Sequence, residues 1–476
     1  MSGIDPGELQ AALDVLARAE QLSPDHPDAV AVQRATAKLY MNIKKRRRRE
    51  RRQGIAAADR EVLERTATAA PGRIDDETQG IPLVSSAVGA SAGTLLKALP
   101  CYVCKRRYTQ VDAFYHQLCP ACAADHHRRR DARTDLTGRR ALLTGGRAKI
   151  GMYIALRLLR DGAHTTITTR FPRDAARRFA SMEDSADWLG RLRIVGIDLR
   201  DPGQVVALAD SVAEQGPLDV LINNAAQTVR RSPGAYAHLV DAESAPLPPG
   251  AMPQVLSFGS ARAAHPTLLT SALAGARALD PSALAELALV ARSADPARVG
   301  SGVAIDAGGL VPDVTHVNSW TQNVDAVDPL EMLEVQLCNA TAPFILVSRL
   351  RPALAASPAR RTYVVNVSAM EGSFGRGYKG PGHPHTNMAK AALNMLTRTS
   401  AGELLAQDGI LMTSVDTGWI TDERPHHTKV RLADEGFHAP LDLVDGAARV
   451  YDPIIRGEAG EDVHGVFLKD YEPTVW

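Results

Sequence analysis

The sequence predicts an α/β protein built on a doubly wound parallel sheet, preceded by a helical basic segment and a small four-cysteine unit. Three observations carry this prediction. From Arg140 onward, short apolar or β-branched runs alternate with helical periodicity, the rhythm of parallel strands covered by helices on both faces. A Gly-rich turn, Gly145-Gly146-Arg147-Ala148-Lys149-Ile150-Gly151, joins the first of these runs to the first helix. Four of the five cysteines fall within 22 residues just ahead of that domain.

Residues 1–70 read as a helical, basic region. Leu9, Ala12, Leu13, Leu16 and Ala17 recur at helical spacing across 8–21. The break SPDHPD follows, and Asp28 is placed to cap a second helix running past Tyr40. That helix contains Lys44-Lys45-Arg46-Arg47-Arg48-Arg49-Glu50-Arg51-Arg52. Such a run either solvates a helix face or meets a polyanion such as nucleic acid or anionic lipid. Aromatic residues are not interleaved with it, which argues against base stacking. Met1 to Arg140 carries 24 Lys and Arg against 17 Asp and Glu, and the remainder 31 against 37. Parts of opposite sign attract each other or do different work. Residues 71–98, rich in Gly, Ser, Ala and Asp, read as a linker.

The unit at 99–125 contains Cys101-x2-Cys104, fourteen residues, then Cys119-x2-Cys122. Each CxxC turn places two thiolates on one metal, so the two together predict a closed tetrahedral zinc site with a structural role. It resembles a zinc ribbon or zinc knuckle, modules that contact nucleic acid or protein. Tyr102, Tyr108, Phe114, Tyr115 and His116 supply a small core. His116 as a ligand and a redox dithiol are the alternatives.

The domain at 136–476 has expected strands at 141–144, 164–169, 193–198, 218–223, 362–367, 411–415 and 465–468, with a helix at 149–160 ended by Gly162. Residues 229–314 break the rhythm. Crowded with Ala, Pro, Ser and Leu, they read as an insertion, partly helical at 282–292 and without strand periodicity. The turn at 145–151 presents backbone N–H groups and a positive helix end to a pyrophosphate. Thr144, Gly145, Arg147, Lys149, Ile150 and Gly151 are its candidate binding residues. Companions follow at ordered places: Asp198-Leu199 after the third strand, Asn224-Ala225 after the fourth, Asn339 on a helix beginning near Asp328, Ser368 after the fifth, Lys390 on the next helix, and Gly418, Ile420 and Thr421 after the sixth.

This ordered set resembles the short-chain dehydrogenase/reductase family, whose pattern runs TGxxxGxG, Asp-Leu, NNAG, a helical Asn, a Ser, YxxxK and PGxxxT. The resemblance covers about 250 residues and implies a Rossmann domain that binds a nicotinamide dinucleotide. Arg170, directly after the second strand, is placed to pair with a 2′-phosphate, so NADP is expected, with NAD the alternative.

Three positions depart from the pattern. Lys149 stands where the family has its middle glycine. Thr386 stands four before Lys390, where the family has its proton-donating Tyr. Ala369 stands three before Gly372, where the family has its Ser, with Ser368 one place earlier. A phenol beside an ammonium can pass a proton at neutral pH, whereas an aliphatic hydroxyl titrates far too high. Tyr378, His383 and His385 are therefore candidate replacements, and the catalytic set is expected among Asn339, Ser368, Tyr378, His385, Thr386 and Lys390. The expected activity is hydride transfer between NADP(H) and a carbonyl or enone. The alternative is a catalytically silent NADP(H)-binding sensor or scaffold whose zinc unit and basic helix contact protein or nucleic acid. No run of 18 apolar residues predicts a membrane span, and no secretory signal is visible, so a cytoplasmic location is expected. The family resemblance adds a homo-oligomer as an expected assembly.

Overall fold

The computed structural model describes residues 3–71, 73, 83–87, 89–231, 233–258, 306, 309–310, 315–420 and 423–476. Two helices lead the chain, α1 (Pro6–Glu20) and α2 (Pro27–Glu64). The cap of α2 is His26, whose Nδ1 accepts from the Asp28 N–H at 3.2 Å, and Asp28 itself lies in the first turn. The correction has a simple cause: Pro27 suits the first helical position, which moves the cap one residue upstream of it. Neither helix has a fully buried residue. Among the described residues, the C-terminal end of α2 is the part anchored to the following unit. Val62 and Leu63 pack on the cysteine unit, and the Asp59 carboxylate accepts from the Leu96 and Lys97 N–H groups at 2.6 and 3.2 Å.

The cysteine unit consists of an antiparallel ribbon, β1 (Ser91–Pro100) and β2 (Arg107–Asp112), followed by helix α3 (Pro120–Asp131). Strand β1 begins inside the stretch expected to be linker. Its pairing slips between Thr94 and Leu99, so apolar residues do not alternate evenly along it and the sequence lacks a strand's period. Upstream, Arg73 is tied to the domain that follows, donating to the Ala439 and Leu441 carbonyls at 3.1 and 3.2 Å.

The main sheet holds β3 (Arg140–Leu143), β4 (His164–Thr169), β5 (Leu192–Gly196), β6 (Val220–Asn223), β7 (Gln254–Ser257), β8 (Thr362–Ser368), β9 (Ile410–Asp416), β10 (Phe467–Lys469) and β11 (Glu472–Thr474). Their order is β11-β10-β9-β8-β6-β3-β4-β5-β7, parallel throughout except for the β10–β11 hairpin. The chain winds outward from β3 in both directions, so a crevice opens between the carboxyl ends of β3 and β6. The covering helices are α4 (Lys149–Arg160), α5 (Pro172–Ala180), α6 (Pro202–Ala213), α7 (Ala237–Ser244), α8 (Pro329–Gln336), α9 (Ala342–Ala355), α10 (Pro384–Asp408), α11 (His426–Asp434) and α12 (Leu443–Glu458).

Both sheet faces are buried, which is why β8 and β9 are buried at all seven positions each. Leu143, Ile167, Ile194, Ile222 and Val365 join one core with α4, α5 and α12. Leu142, Val195, Leu221, Val364 and Met412 join the other with α6, α9 and α10. The stretch Pro329–Ala355 spans 27 residues and contains an 18-residue window of mean hydropathy 1.3, enough by length and composition to cross a membrane. Its Ala342, Leu346, Leu350 and Leu354 pack into the second core instead, the place of a covering helix.

The insertion does contain a strand. Strand β7 pairs in parallel with β5 at the sheet edge, and its four residues are too few to show a period. Tyr236, Leu239 and Leu310, also from the insertion, pack on Phe171. The helix expected at 282–292 lies outside the described residues.

Candidate active site

The Gly-rich turn sits in the crevice as expected, and its glycines have distinct physical reasons. Gly145 has φ 70°, the left-handed region. A Cβ on Gly151 would collide with the Gly145 carbonyl oxygen and lie 2.7 Å from Asn224 Nδ2. Thr144 and Asn224 brace this arrangement, Asn224 while also lining the crevice. Thr144 Oγ1 accepts from the Asn224 and Ala225 N–H groups, each at 3.0 Å, and Asn224 Nδ2 donates to the Thr144 and Gly145 carbonyls at 3.0 and 3.1 Å. Helix α4 starts behind Ala148 with no side-chain cap, leaving its first N–H groups directed at the crevice. Lys149 adopts φ 54°, so the left-handed backbone that the family's glycine supplies is kept at a cost of about 1–2 kcal/mol.

The crevice is a cleft of about 400 Å³ lined by Gly145, Lys149, Ile150, Gly151, Arg170, Leu199 and Ala225 among others. Its charges are largely paired within the protein. Arg147 bonds Asp174 at 2.5 Å and lies over the Phe171 ring at 5.5 Å. Lys149 bonds Asp306 of the insertion at 3.0 Å. Arg170 lies near the rings of Phe171 and Tyr236, 5.7 and 5.2 Å from their centroids, and donates to Tyr236 Oη at 3.4 Å. Asp198, expected to meet an adenine ring, has its carboxylate engaged by Arg200 at 2.5–3.1 Å, and Arg200 reaches Glu334 at 3.0 Å. The reason is local: Arg200 follows by two residues, and its own N–H also donates to Asp198 at 3.0 Å. Gly418, at φ 81°, and Ile420 stand behind the wall, Ile420 packed against Gly446. Thr421 lies outside the described residues.

The catalytic candidates divide. Asn339 occupies a π turn, Leu337–Thr341, between α8 and α9; such turns recur at functional sites. It clamps Gln227, accepting from its N–H at 2.7 Å and donating to its carbonyl at 2.9 Å. Lys390 is buried and donates to the Val367 carbonyl at 2.8 Å. Burial pulls its amine down to about 8, with Cys338 and Glu371 offsetting only part of that. Ser368, next to Val367, and Thr386, one helical turn before Lys390, are both buried, and their hydroxyls have no hydrogen-bond partner among the described residues. His385 is buried, neither ring nitrogen has a hydrogen-bond partner among the described residues, and burial lowers its pKa while Glu331 opposes the shift.

Tyr378 does not enter. It is 76% exposed, because the Gly- and Pro-rich loop carries it outward rather than folding it over the site. His383 is committed elsewhere: its ring stacks on Trp320 at 4.0 Å, and its Nδ1 pairs with the Trp320 carbonyl at 2.9 Å. It braces the turn into α10. Cys338, Gln227, Glu334 and Tyr236 also line the cleft, unforeseen from the sequence. Cys338 adjoins Asn339, which is the one local signal that could have found it.

The four cysteines gather. The sulfurs of Cys101, Cys104, Cys119 and Cys122 all lie within 4.8 Å of one another, and Cys104 and Cys119 stand at 3.7 Å. Lys105 turns left-handed at φ 63° as the chain leaves the first CxxC pair. His116 is not part of the set. Its ring is held by Thr68 Oγ1 at 2.7 Å and by Gln117 Nε2 at 2.9 Å.

These features define a dinucleotide-binding Rossmann domain carrying a four-thiol unit. Residues 139–243 match the family described as short chain dehydrogenase. The chain belongs to the short-chain dehydrogenase/reductase family of NAD(P)-dependent oxidoreductases as a divergent member. It is 31% identical over 369 residues to "Uncharacterized protein R665" of Acanthamoeba polyphaga mimivirus, covering 75% of this chain and 71% of that one. It is 40% identical over 91 residues to a "Probable oxidoreductase" of Streptomyces antibioticus, where it spans 19% of this chain and only 30% of the relative. Among solved structures it is similar to the Pseudomonas aeruginosa RhlG/NADP active-site complex, at 18% identity and TM-score 0.42 over 70% of this chain and 95% of that one. It is also similar to an NADPH-bound carbonyl reductase from chicken fatty liver, at 18% identity and TM-score 0.44 over 73% and 98%.

Proposed function

We propose that the protein is an NADP(H)-dependent oxidoreductase that interconverts a carbonyl compound or enone and its reduced form. Lys390 and Thr386 handle the proton in place of a tyrosine. The observation that carries this reading is the buried lysine with its amine near 8, bonded to the carbonyl that precedes Ser368 and one helical turn after Thr386, both with buried hydroxyls that no described group bonds. The glycine cradle, which a Cβ would fill, and the uncapped start of α4 fit a pyrophosphate. Arg170 favours a 2′-phosphate. When bound, the dinucleotide supplies or takes up hydride. During reduction, the Thr386 hydroxyl gives its proton to the substrate oxygen as it accepts one from the Lys390 ammonium, and solvent reprotonates the amine. Threonine never ionises in such a relay, so its high pKa is no obstacle, and a lysine titrating near 8 suits neutral pH. Asn339 keeps Gln227 in place at the cleft wall, and Ser368 offers a second hydroxyl to the substrate.

The test is NADPH oxidation across a panel of aldehydes, ketones and enones. Turnover that collapses in Lys390→Ala and falls in Thr386→Val supports the reading, whereas full activity in Lys390→Ala overturns it. Structural zinc on the four cysteines belongs to the same proposal, and one equivalent per chain by elemental analysis is its check.

A second reading is a silent NADP(H)-binding scaffold. It draws support from the internal pairing of Asp198 and Lys149, groups that would otherwise face the dinucleotide. The basic stretch of α2 is exposed throughout, and Arg46–Glu50 at 3.9 Å is its ion pair among the described residues. A polyanionic partner would suit that surface. NADPH binding without consumption over the whole panel would favour this reading.

A further inference from the structure

The four-thiol unit is packed against the outer edge of the dinucleotide cleft. Tyr102, between Cys101 and Cys104, accepts a hydrogen bond at its hydroxyl from the Trp419 N–H at 3.0 Å. Trp419 lies in the loop after β9, next to Ile420. Ile420 and Leu441 share one apolar cluster with Tyr115, Leu118 and Ala123 of the cysteine unit, and Cys122 itself borders that cluster. Ile150 packs on the same cluster while lining the cleft, one residue before Gly151. On the far side, Tyr115 donates to Asp445 at 2.6 Å, and Arg130 bonds Asp442 at 2.5 Å, the residue that caps α12. Leu443, at the start of α12, also lines the cleft. Two walls of the cleft, the start of α4 and the start of α12, therefore rest on side chains of the cysteine unit.

We infer that metal occupancy of Cys101, Cys104, Cys119 and Cys122 sets the affinity of the cleft for its dinucleotide, with Tyr102 as the positioning residue that transmits it. The inference rests on the zinc and dinucleotide readings above. The physical reason is the smallness of the unit's own core, essentially Ala92, Leu95, Cys101, Tyr108 and Val111. So few apolar side chains do not by themselves fix four sulfurs in one place, and the metal's binding energy is the folding energy of such a unit. When the CxxC turns open, Tyr102 leaves Trp419, Cys122 leaves the Ile420 cluster, and Ile150 loses its backing beside the phosphate-binding turn. Coupling of this kind between two sites is reciprocal, so bound dinucleotide also tightens the binding of the metal by the same factor.

The experiment uses the full chain, with zinc measured by elemental analysis and NADPH binding followed by fluorescence titration, before chelation, after chelation and after zinc is restored. The expected result is an NADPH Kd weakened by about tenfold on zinc loss and recovered on reloading, with NADPH raising the zinc affinity by the same factor in equilibrium competition with a chromogenic chelator. Tyr102→Phe keeps all four thiols and removes only the hydroxyl. It is expected to retain zinc and to weaken NADPH binding by about three- to tenfold. This variant carries the test should the stripped protein unfold. Absence of zinc in the isolated protein defeats the metal reading, and absence of NADPH binding in the loaded protein defeats the dinucleotide reading; either result overturns the inference with it. Zinc and NADPH both bound, with Kd unchanged in Tyr102→Phe, overturns the coupling alone.

Discussion

Lys390 donates its ammonium proton to the carbonyl of Val367 at 2.8 Å, which holds the amine at the carboxyl end of β8 directly beside Ser368. This one bond ties α10 to the sheet where the reaction is expected. The low amine pKa that accompanies burial makes the arrangement measurable.

The first prediction concerns pH. The amine titrates near 8 in the folded chain against an ordinary 10.5. The ammonium is the proton source in carbonyl reduction, so the rate is flat below about pH 8 and falls about tenfold per unit above it. Alcohol oxidation shows the opposite limb. A steady-state profile between pH 6 and 10 checks this, and a reduction rate with no break in that range contradicts it.

Tyr378→Phe leaves kcat/KM within about twofold of the parent value, because an exposed phenol at the surface takes no part in proton transfer. His383→Ala acts on stability instead. It removes the ring stacked on Trp320 and lowers stability by about 1 kcal/mol, read by chemical denaturation. A large loss of kcat in Tyr378→Phe would mean that the loop closes over the site during turnover.

Gly151→Ala drives a methyl group into the Gly145 carbonyl. The turn must open to admit it, and NADPH binding weakens by more than about tenfold with little change in far-ultraviolet dichroism. Fluorescence titration reads the first effect. An unchanged Kd would show that phosphate is bound elsewhere.

Asp416, buried at the end of β9, is pushed up to about 6 by burial and by the neighbouring Asp470 and Glu371. A carboxyl whose folded pKa is raised holds its proton more tightly in the folded chain. Its contribution is therefore fully present below about pH 4 and lost as pH rises through about 6. Asp416→Asn keeps the neutral form, so it is more stable than the parent by about 2–3 kcal/mol above pH 7 and equal to it near pH 4. Urea denaturation at the two pH values checks the sign, and a variant less stable at pH 7 would refute it.

Much of the fold was legible because its signals are local. The runs at β4, β6, β8 and β9 are apolar or β-branched since both sheet faces are covered, and the helix at Lys149–Arg160 coincides with its expected bounds. The cysteine set was legible because metal ligands obey short spacings. Strands β1 and β7 were not, the first because its register slips and the second because four residues carry no period.

By itself, then, the sequence determined most strands of the sheet, the Gly-rich turn, the thiol set and the absence of a tyrosine before Lys390, since each is written in contiguous residues. Only the tertiary structure decided what those residues do to one another. It turned Tyr378 outward, committed His383 to Trp320 and Asp198 to Arg200, and set Tyr102 of the cysteine unit against Trp419 of the cleft loop. Most of these partners lie far apart along the chain. Side-chain direction and long-range packing select among the partners that a sequence permits, and no local period records that choice.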